Sequence, residues 1–224
     1  MIQISFVGAY DKVNLITYTS KILSKLKMKV LVVDGTLEQK YRYTVPSIFP
    51  TKSYVTEFEG IDFAVGFDSF EHMINYLGGD LEYDVVIYDI DISDSINKFE
   101  IRRCYKNFFV MSEDVYSIKK GAELLKSIDD RMIFTKVFFT NEIIKEEEQY
   151  LEFLLLGSKI EWDKAVFFPV LIDDYCTNIE NQTISKIKLK KISTHYKESL
   201  TYVLMLILGE NTINEIKKAI KTAQ

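Results

Sequence analysis

Residues Ile4-Ser5-Phe6-Val7-Gly8-Ala9 form an apolar run ending at a glycine, and Leu15 to Leu26 repeat apolar side chains at helical spacing. A strand that turns into a helix sets the helix amides at the end of a sheet, where anions bind. A phosphate loop at such a junction needs glycines, so that backbone N–H groups can wrap the phosphates. It also needs a lysine and a hydroxyl. Here the junction reads Tyr10-Asp11-Lys12-Val13-Asn14-Leu15-Ile16-Thr17. The surroundings of a phosphate site are present, but its working residues are replaced.

The rest of the chain alternates strand and helix. Met28 to Asp34 and Tyr83 to Asp89 are apolar runs of the kind buried in parallel sheets, and each ends in an aspartate. Further strands are predicted at Ile61 to Gly66, Asn107 to Met111, Arg131 to Phe139 and Ala165 to Phe168. Ser69 is placed to cap a helix that runs to Leu77 and stops at Gly78-Gly79. Further helices are predicted from Val115 to Ile128, from Glu142 to Leu156, and as a pair after Thr194 split near Gly209. Residues 35–55, with Pro46 and Pro50, read as irregular. The expected fold is α/β: one doubly wound, mainly parallel sheet flanked by helices, with residues 1–224 as a single domain.

Composition excludes some classes. The net charge of −5 gives no global basic field to drive nucleic-acid binding. Cys104 and Cys176 lack metal-ligand spacing, and no metal site is expected. The longest strongly apolar run, Leu200 to Leu208, is too short to span a bilayer. The chain opens directly on a strand, so no leader is expected, and the two separated cysteines fit a reduced, cytoplasmic setting, with recruitment to a membrane or nucleoid left open.

These residues, in this order, resemble the ParA/MinD family of P-loop ATPases over nearly the whole chain. Ile4 to Ala9 is similar to the strand leading into that family's deviant Walker A loop. Val30 to Gly35 is similar to its second strand, and Tyr83 to Asp89 to its Walker B strand. Thr140-Asn141 stands where the family has an adenine-contacting asparagine, and Ile160 to Val166 resembles its isoleucine-proline-tyrosine-aspartate segment. Aligned without gaps, the family's signature lysine becomes Tyr10, two glycines become Asp11 and Lys12, and the third glycine becomes Asn14. The Walker lysine becomes Leu15 and the first threonine Ile16, so that only Gly8 and Thr17 survive. The resemblance implies a remnant nucleotide site at Gly8, Lys12, Thr17, Asp34, Asp89 and Asn141, with no catalytic residue. Thr36 replaces a second acidic residue that the family often carries. Tyr10 or Lys12 is expected to fill the space of the phosphates.

The function expected is that of a degenerate relative: a binding, scaffolding or positioning factor for a membrane-associated or DNA-segregation machine, with protein partners and no cofactor. Dimerisation through residues 8–17, with Tyr10, Tyr41 and Tyr43 at the contact, is expected from the family. One alternative is a working ATPase with a rearranged loop, using ATP or ADP with magnesium. Another is a DNA-binding segregation protein using Lys186, Lys188, Lys190 and Lys191, a row otherwise read as a solvated edge. The segment Thr212 to Gln224 sets Ile213, Ile216 and Ile220 on one face. It is read as packing on the domain or a partner in preference to lying on a membrane. His72 and His195 are read as ordinary surface or core histidines, and Asp91 as a cap for the segment after it.

Overall fold

The fold was analysed in a computed structural model, which describes residues 1–48, 51–141 and 145–223. Among these, eight strands form one sheet in the order β3-β4-β2-β5-β1-β6-β7-β8. The strands are β1 (Ile2–Val7), β2 (Val30–Gly35), β3 (Tyr54–Phe58), β4 (Ile61–Val65), β5 (Val85–Ile90), β6 (Lys106–Ser112), β7 (Met132–Phe139) and β8 (Ile160–Phe168). Only β3 runs antiparallel, at one edge against β4. Strands β2 and β5 are buried along their whole lengths, which explains why their sequences are continuously apolar until the terminal aspartates.

Helices α1 (Val13–Lys25), α8 (Thr194–Leu208) and α9 (Ile213–Thr222) cover one face of the sheet. Ile16, Ile22, Leu23, Leu200 and Leu204 there are fully buried. Each such side chain contributes roughly 1.5–3 kcal/mol relative to exposure. Helices α3 (Phe70–Tyr76), α4 (Ser93–Lys98), α5 (Val115–Lys126) and α6 (Lys145–Leu154) pack on the opposite face. The short α2 (Tyr41–Thr44) and the helix α7 (Ile172–Thr183) lie near the carboxyl ends of the strands. Ser69 caps α3 by accepting from His72 N–H, and Gly78 and Gly79 follow it with φ of +89° and +103°.

The doubly wound, mainly parallel architecture agrees with the sequence pattern. Three details differ, and one lies outside the described residues. The irregular stretch 35–55 contains α2 and the start of β3, too short to show a period; Pro50 lies outside the described residues. Strand β8 begins at Ile160 and not at Ala165, because it is an edge strand whose Glu161 and Asp163 pair with Arg131 and Lys106. The predicted helix start at Glu142 also falls outside the described residues, which resume within α6 at Lys145. Finally, α7 is absent from the apolar pattern because its buried side chains include Asp174, Thr177 and Asn181.

Candidate functional site

The parallel register brings the predicted carboxylates together. Asp34 pairs with Asp89 across β2 and β5, and Phe6 of β1 pairs with Asp89 on the other side. The chain then leaves β1 at Gly8, which has φ of +147° and donates its N–H to Ile90 O at 3.0 Å. A Cβ at this position would lie 2.1 Å from Val110 O. Gly8 is therefore required by close packing of β1 against β6, whatever else the loop does.

The loop from Gly8 to Lys12 closes on itself. Lys12 is 3% exposed. Its ammonium donates to Gly8 O at 2.5 Å and Tyr10 O at 3.3 Å, and faces Asp89 Oδ1 at 3.1 Å as an ion pair off the hydrogen-bond axis. Asp11 Oδ1 accepts from Val13 N–H, the first amide of α1, at 3.0 Å, and Asp11 Oδ2 pairs with Lys40 at 2.9 Å. The amide that an anion would use thus receives the chain's own carboxylate, which also complements the positive end of the helix dipole. The Tyr10 ring packs at a tilt against Phe139, centroids 4.7 Å apart.

The carboxylates are equally enclosed. Asp34 Oδ1 accepts from Thr36 N–H at 3.1 Å and from the Thr36 hydroxyl at 2.5 Å, and Asp34 Oδ2 accepts from Tyr41 N–H at 3.2 Å. Burial, with the neighbouring Asp89 charge adding to it, pushes the Asp34 carboxyl up to about 7. Asp89 accepts from the Tyr41 hydroxyl at 3.1 Å. Burial raises its pKa, and the Lys12 charge works against that rise. Thr36, read in the sequence as the loss of an acidic residue, supplies the bonds that hold Asp34. Asp91 does not cap α4; it accepts from Leu37 N–H at 2.8 Å and ties the β2 and β5 loops together.

Of the six predicted remnant-site residues, Gly8, Lys12, Asp34 and Asp89 converge at this edge. Thr17 lies one turn into α1 and lines a recess with Val45, Asn181 and Lys186. Asn141 accepts from Val170 N–H at 2.9 Å and lines a separate groove with Phe167, His195 and Glu198. The sequence reading did not assign Tyr41 or Lys40 to the cluster. Tyr41 is fully buried against Phe63 and Asp89, so it is withdrawn from the expected dimer contact, whereas Tyr43 is 82% exposed.

The remaining candidates have mostly structural surroundings. His72 Nδ1 lies 2.9 Å from Asp68 Oδ1 on the protein surface. Lys186, Lys188, Lys190 and Lys191 are exposed and alternate with buried Ile187, Leu189 and Ile192. That segment is not a strand edge as expected; it is an irregular run pinned by Leu189 N–H to Ala223 O, and Lys191 pairs with Glu180. Ile216 and Ile220 of α9 are buried against the domain, as the packing reading expected. Among the described residues no helix is long and apolar enough to cross a membrane.

This sheet order and this helical cover make a doubly wound, mainly parallel α/β fold of the ParA-like kind. Among solved structures, the chain is similar to a ParA family ATPase from Chlorobium tepidum TLS. The TM-score is 0.61 and the identity 13%, over 92% of this chain and 99% of that one. It is also similar to a chain of the MinC:MinD cell division protein complex of Aquifex aeolicus (TM-score 0.49, identity 14%, 99% of this chain and 96% of that one). A third is a putative plasmid partition protein from Borrelia burgdorferi B31 bound to AMPPNP (TM-score 0.47, identity 13%, 82% and 96%). The sequence matches no protein-family model, and no curated protein matches it. At this identity the first likeness establishes the fold.

Proposed function

We propose that this chain is a non-hydrolysing member of its fold class, acting as a binding, scaffolding or positioning factor through protein partners. One observation carries the reading: the buried Lys12 ammonium is held by Gly8 O, Tyr10 O and Asp89, inside the turn where a phosphate would have to sit. A phosphate-gripping lysine must be free to reach the β- and γ-phosphates, and a magnesium site must have carboxylates to offer. Here Lys12 forms an ion pair with Asp89, Asp34 is held by Thr36 and Tyr41, and Asp11 brings a negative charge to the first amide of α1. These residues do not fit a magnesium nucleotide, and phosphoryl transfer rests almost wholly on the electrostatic positioning they lack.

The resemblance suggests a setting in a membrane-associated or DNA-segregation machine. The test is titration calorimetry with ATP and ADP, with and without magnesium. The expected result is no heat at millimolar nucleotide and an unshifted melting temperature. Micromolar binding would overturn the closed site and make the nucleotide a switch, and turnover of the bound ATP would then overturn the non-hydrolysing reading. The DNA-binding reading keeps one observation in its favour, the exposed row Lys186, Lys188 and Lys190. It requires salt-sensitive duplex binding that Lys188→Glu with Lys190→Glu removes.

A further inference from the structure

Beside the carboxylate cluster lies a cleft of about 190 Å³, between the N-terminus of α1 and the loop joining β8 to α7. Its aromatic wall is Tyr10, Phe139 and Tyr196, with Tyr196 6.3 Å from Phe139 between ring centroids. Its charged lining groups are Asp11 and Asp174; among the described residues no lysine, arginine or histidine lines it. Tyr196 is 3% exposed, and neither its hydroxyl nor that of Tyr10 has a hydrogen-bond partner among the described residues. The cleft thus offers acceptors and aromatic surface with no cation in its lining, although Lys40 reaches Asp11 from outside it.

We propose that this cleft receives a lysine or arginine side chain presented by a partner protein. The inference rests on the reading that this edge of the sheet no longer takes nucleotide. An anion is disfavoured by two carboxylates, whereas an ammonium or guanidinium is attracted both by them and by the aromatic rings. Asp174 accepts from Ser193 N–H and its hydroxyl, and Asp11 from Val13 N–H and Lys40. Each carboxylate oxygen keeps a lone-pair site beyond these bonds. Lys40 is 41% exposed and its pair with Asp11 stands at the surface, where such pairs are weak, so an incoming cation can displace it. Lys197, the cation near Asp174, is bound to Ile192 O at 2.6 Å.

The size of the cleft and its surroundings point to a partner's side chain in preference to a free small molecule. Pockets for small ligands run to roughly 300–1,000 Å³, and this one is smaller. Around it, α7 is inside out: Asp174, Thr177 and Asn181 are buried, while Ile172, Tyr175 and Ile179 face outward at 72%, 61% and 46% exposure. Val170, Leu171 and Tyr175 belong both to the cleft and to this apolar surface. A free amine would leave that surface uncovered. A partner segment with a basic residue between apolar ones covers it, in the pattern of an anchor within an apolar interface.

The experiment titrates the full chain, ¹⁵N-labelled, with acetyl-Leu-Lys-Leu-amide, the same peptide with norleucine for lysine, and butylammonium. Saturable shifts are expected at the amides of Tyr10, Asp11 and Tyr175 with the lysine peptide. Binding of the norleucine peptide and of butylammonium should each be weaker by about fivefold or more. Asp11→Asn and Tyr175→Ala should each weaken the lysine peptide to a similar degree. Equal binding of the norleucine peptide overturns the cation specificity, and equal binding of butylammonium overturns the partner segment. Silence from all three probes at about 20 mM, weaker than any working anchor, overturns the site itself. Concentration-dependent dimers abolished by Tyr175→Ala, read by sedimentation velocity, would assign the surface to a second copy of the chain and overturn the partner. A parallel titration with magnesium ATP keeps the two readings apart. Shifts with ATP at these amides sink the reading that this edge no longer takes nucleotide, whereas silence from both ATP and the peptides sinks this inference alone.

Discussion

Two neighbouring regions at the carboxyl end of the sheet differ in how completely they satisfy themselves. In the cluster of Lys12, Asp34, Tyr41 and Asp89 each charged group has a partner within the chain, and each member is at most 3% exposed. In the cleft beside it, two tyrosine hydroxyls have no partner among the described residues and an apolar helix face stands in solvent. The first region behaves as part of the core, and the second as a surface awaiting contact. A fold that normally places its ligand at this edge has, in this chain, closed one half and left the other open.

The comparison breaks most decisively at Lys12. Lys12→Met leaves Asp89 buried without its cation, so urea unfolding at pH 8 should show a loss of about 3–5 kcal/mol. Adding Asp89→Asn should recover more than half of it, since the stranded charge is then gone. The loss should shrink in mild acid, where the raised pKa of Asp89 lets it take up a proton. A loss below about 1 kcal/mol would mean that Lys12 leaves its place cheaply, and the closed half would then be open to phosphate.

The next largest effect concerns pH. Asp34 sits at about 7 in the folded chain against 3.8 for a free carboxyl, so the native state holds this proton more tightly than the unfolded state does. The stability it contributes is complete below about pH 4 and is lost as pH rises to about 7. The loss amounts to up to about 4 kcal/mol. Urea midpoints measured from pH 4.5 to 8 should therefore fall with rising pH relative to those of Asp34→Asn. Parallel curves for the two proteins would show that Asp34 is more solvated than its enclosure implies. A smaller change is expected from Tyr41→Phe, which removes the hydroxyl that donates to Asp89 and should destabilise by about 1–2 kcal/mol.

The closed half was the more legible in sequence. Strand-terminal Asp34 and Asp89 are placed by register alone once two apolar runs are assigned to adjacent parallel strands. The misfit of Tyr10 to Thr17 to a phosphate loop is visible from residue types. The places of Thr17 and Asn141 were not legible, for a geometric reason. Helix α1 begins at Val13, so Thr17 lies a full turn beyond the loop, and Asn141 turns to the backbone of Val170. The open half was illegible because α7 buries Asp174 and Asn181, which serve as acceptor for Ser193 and donor to Tyr18 and Lys188 O, and exposes its isoleucines. Amphipathic reading assumes apolar faces turn inward, and it fails where a partner or a polar network reverses them.

The smallest expected effect is the sharpest test of the contrast. Tyr175 lines the cleft but is 61% exposed, its side chain makes no hydrogen bond among the described residues, and it sits on the outward face of α7. Tyr175→Ala should change stability by less than about 0.5 kcal/mol, as surface substitutions generally do. A closed core cannot lose an aromatic ring so cheaply; truncating a buried one costs about 3–5 kcal/mol. If urea unfolding instead shows a loss of well over 1 kcal/mol, the α7 face is part of the domain's own packing, and the division into a satisfied half and an open half disappears. If stability holds while recognition of the basic peptide falls, the ring serves recognition and not folding.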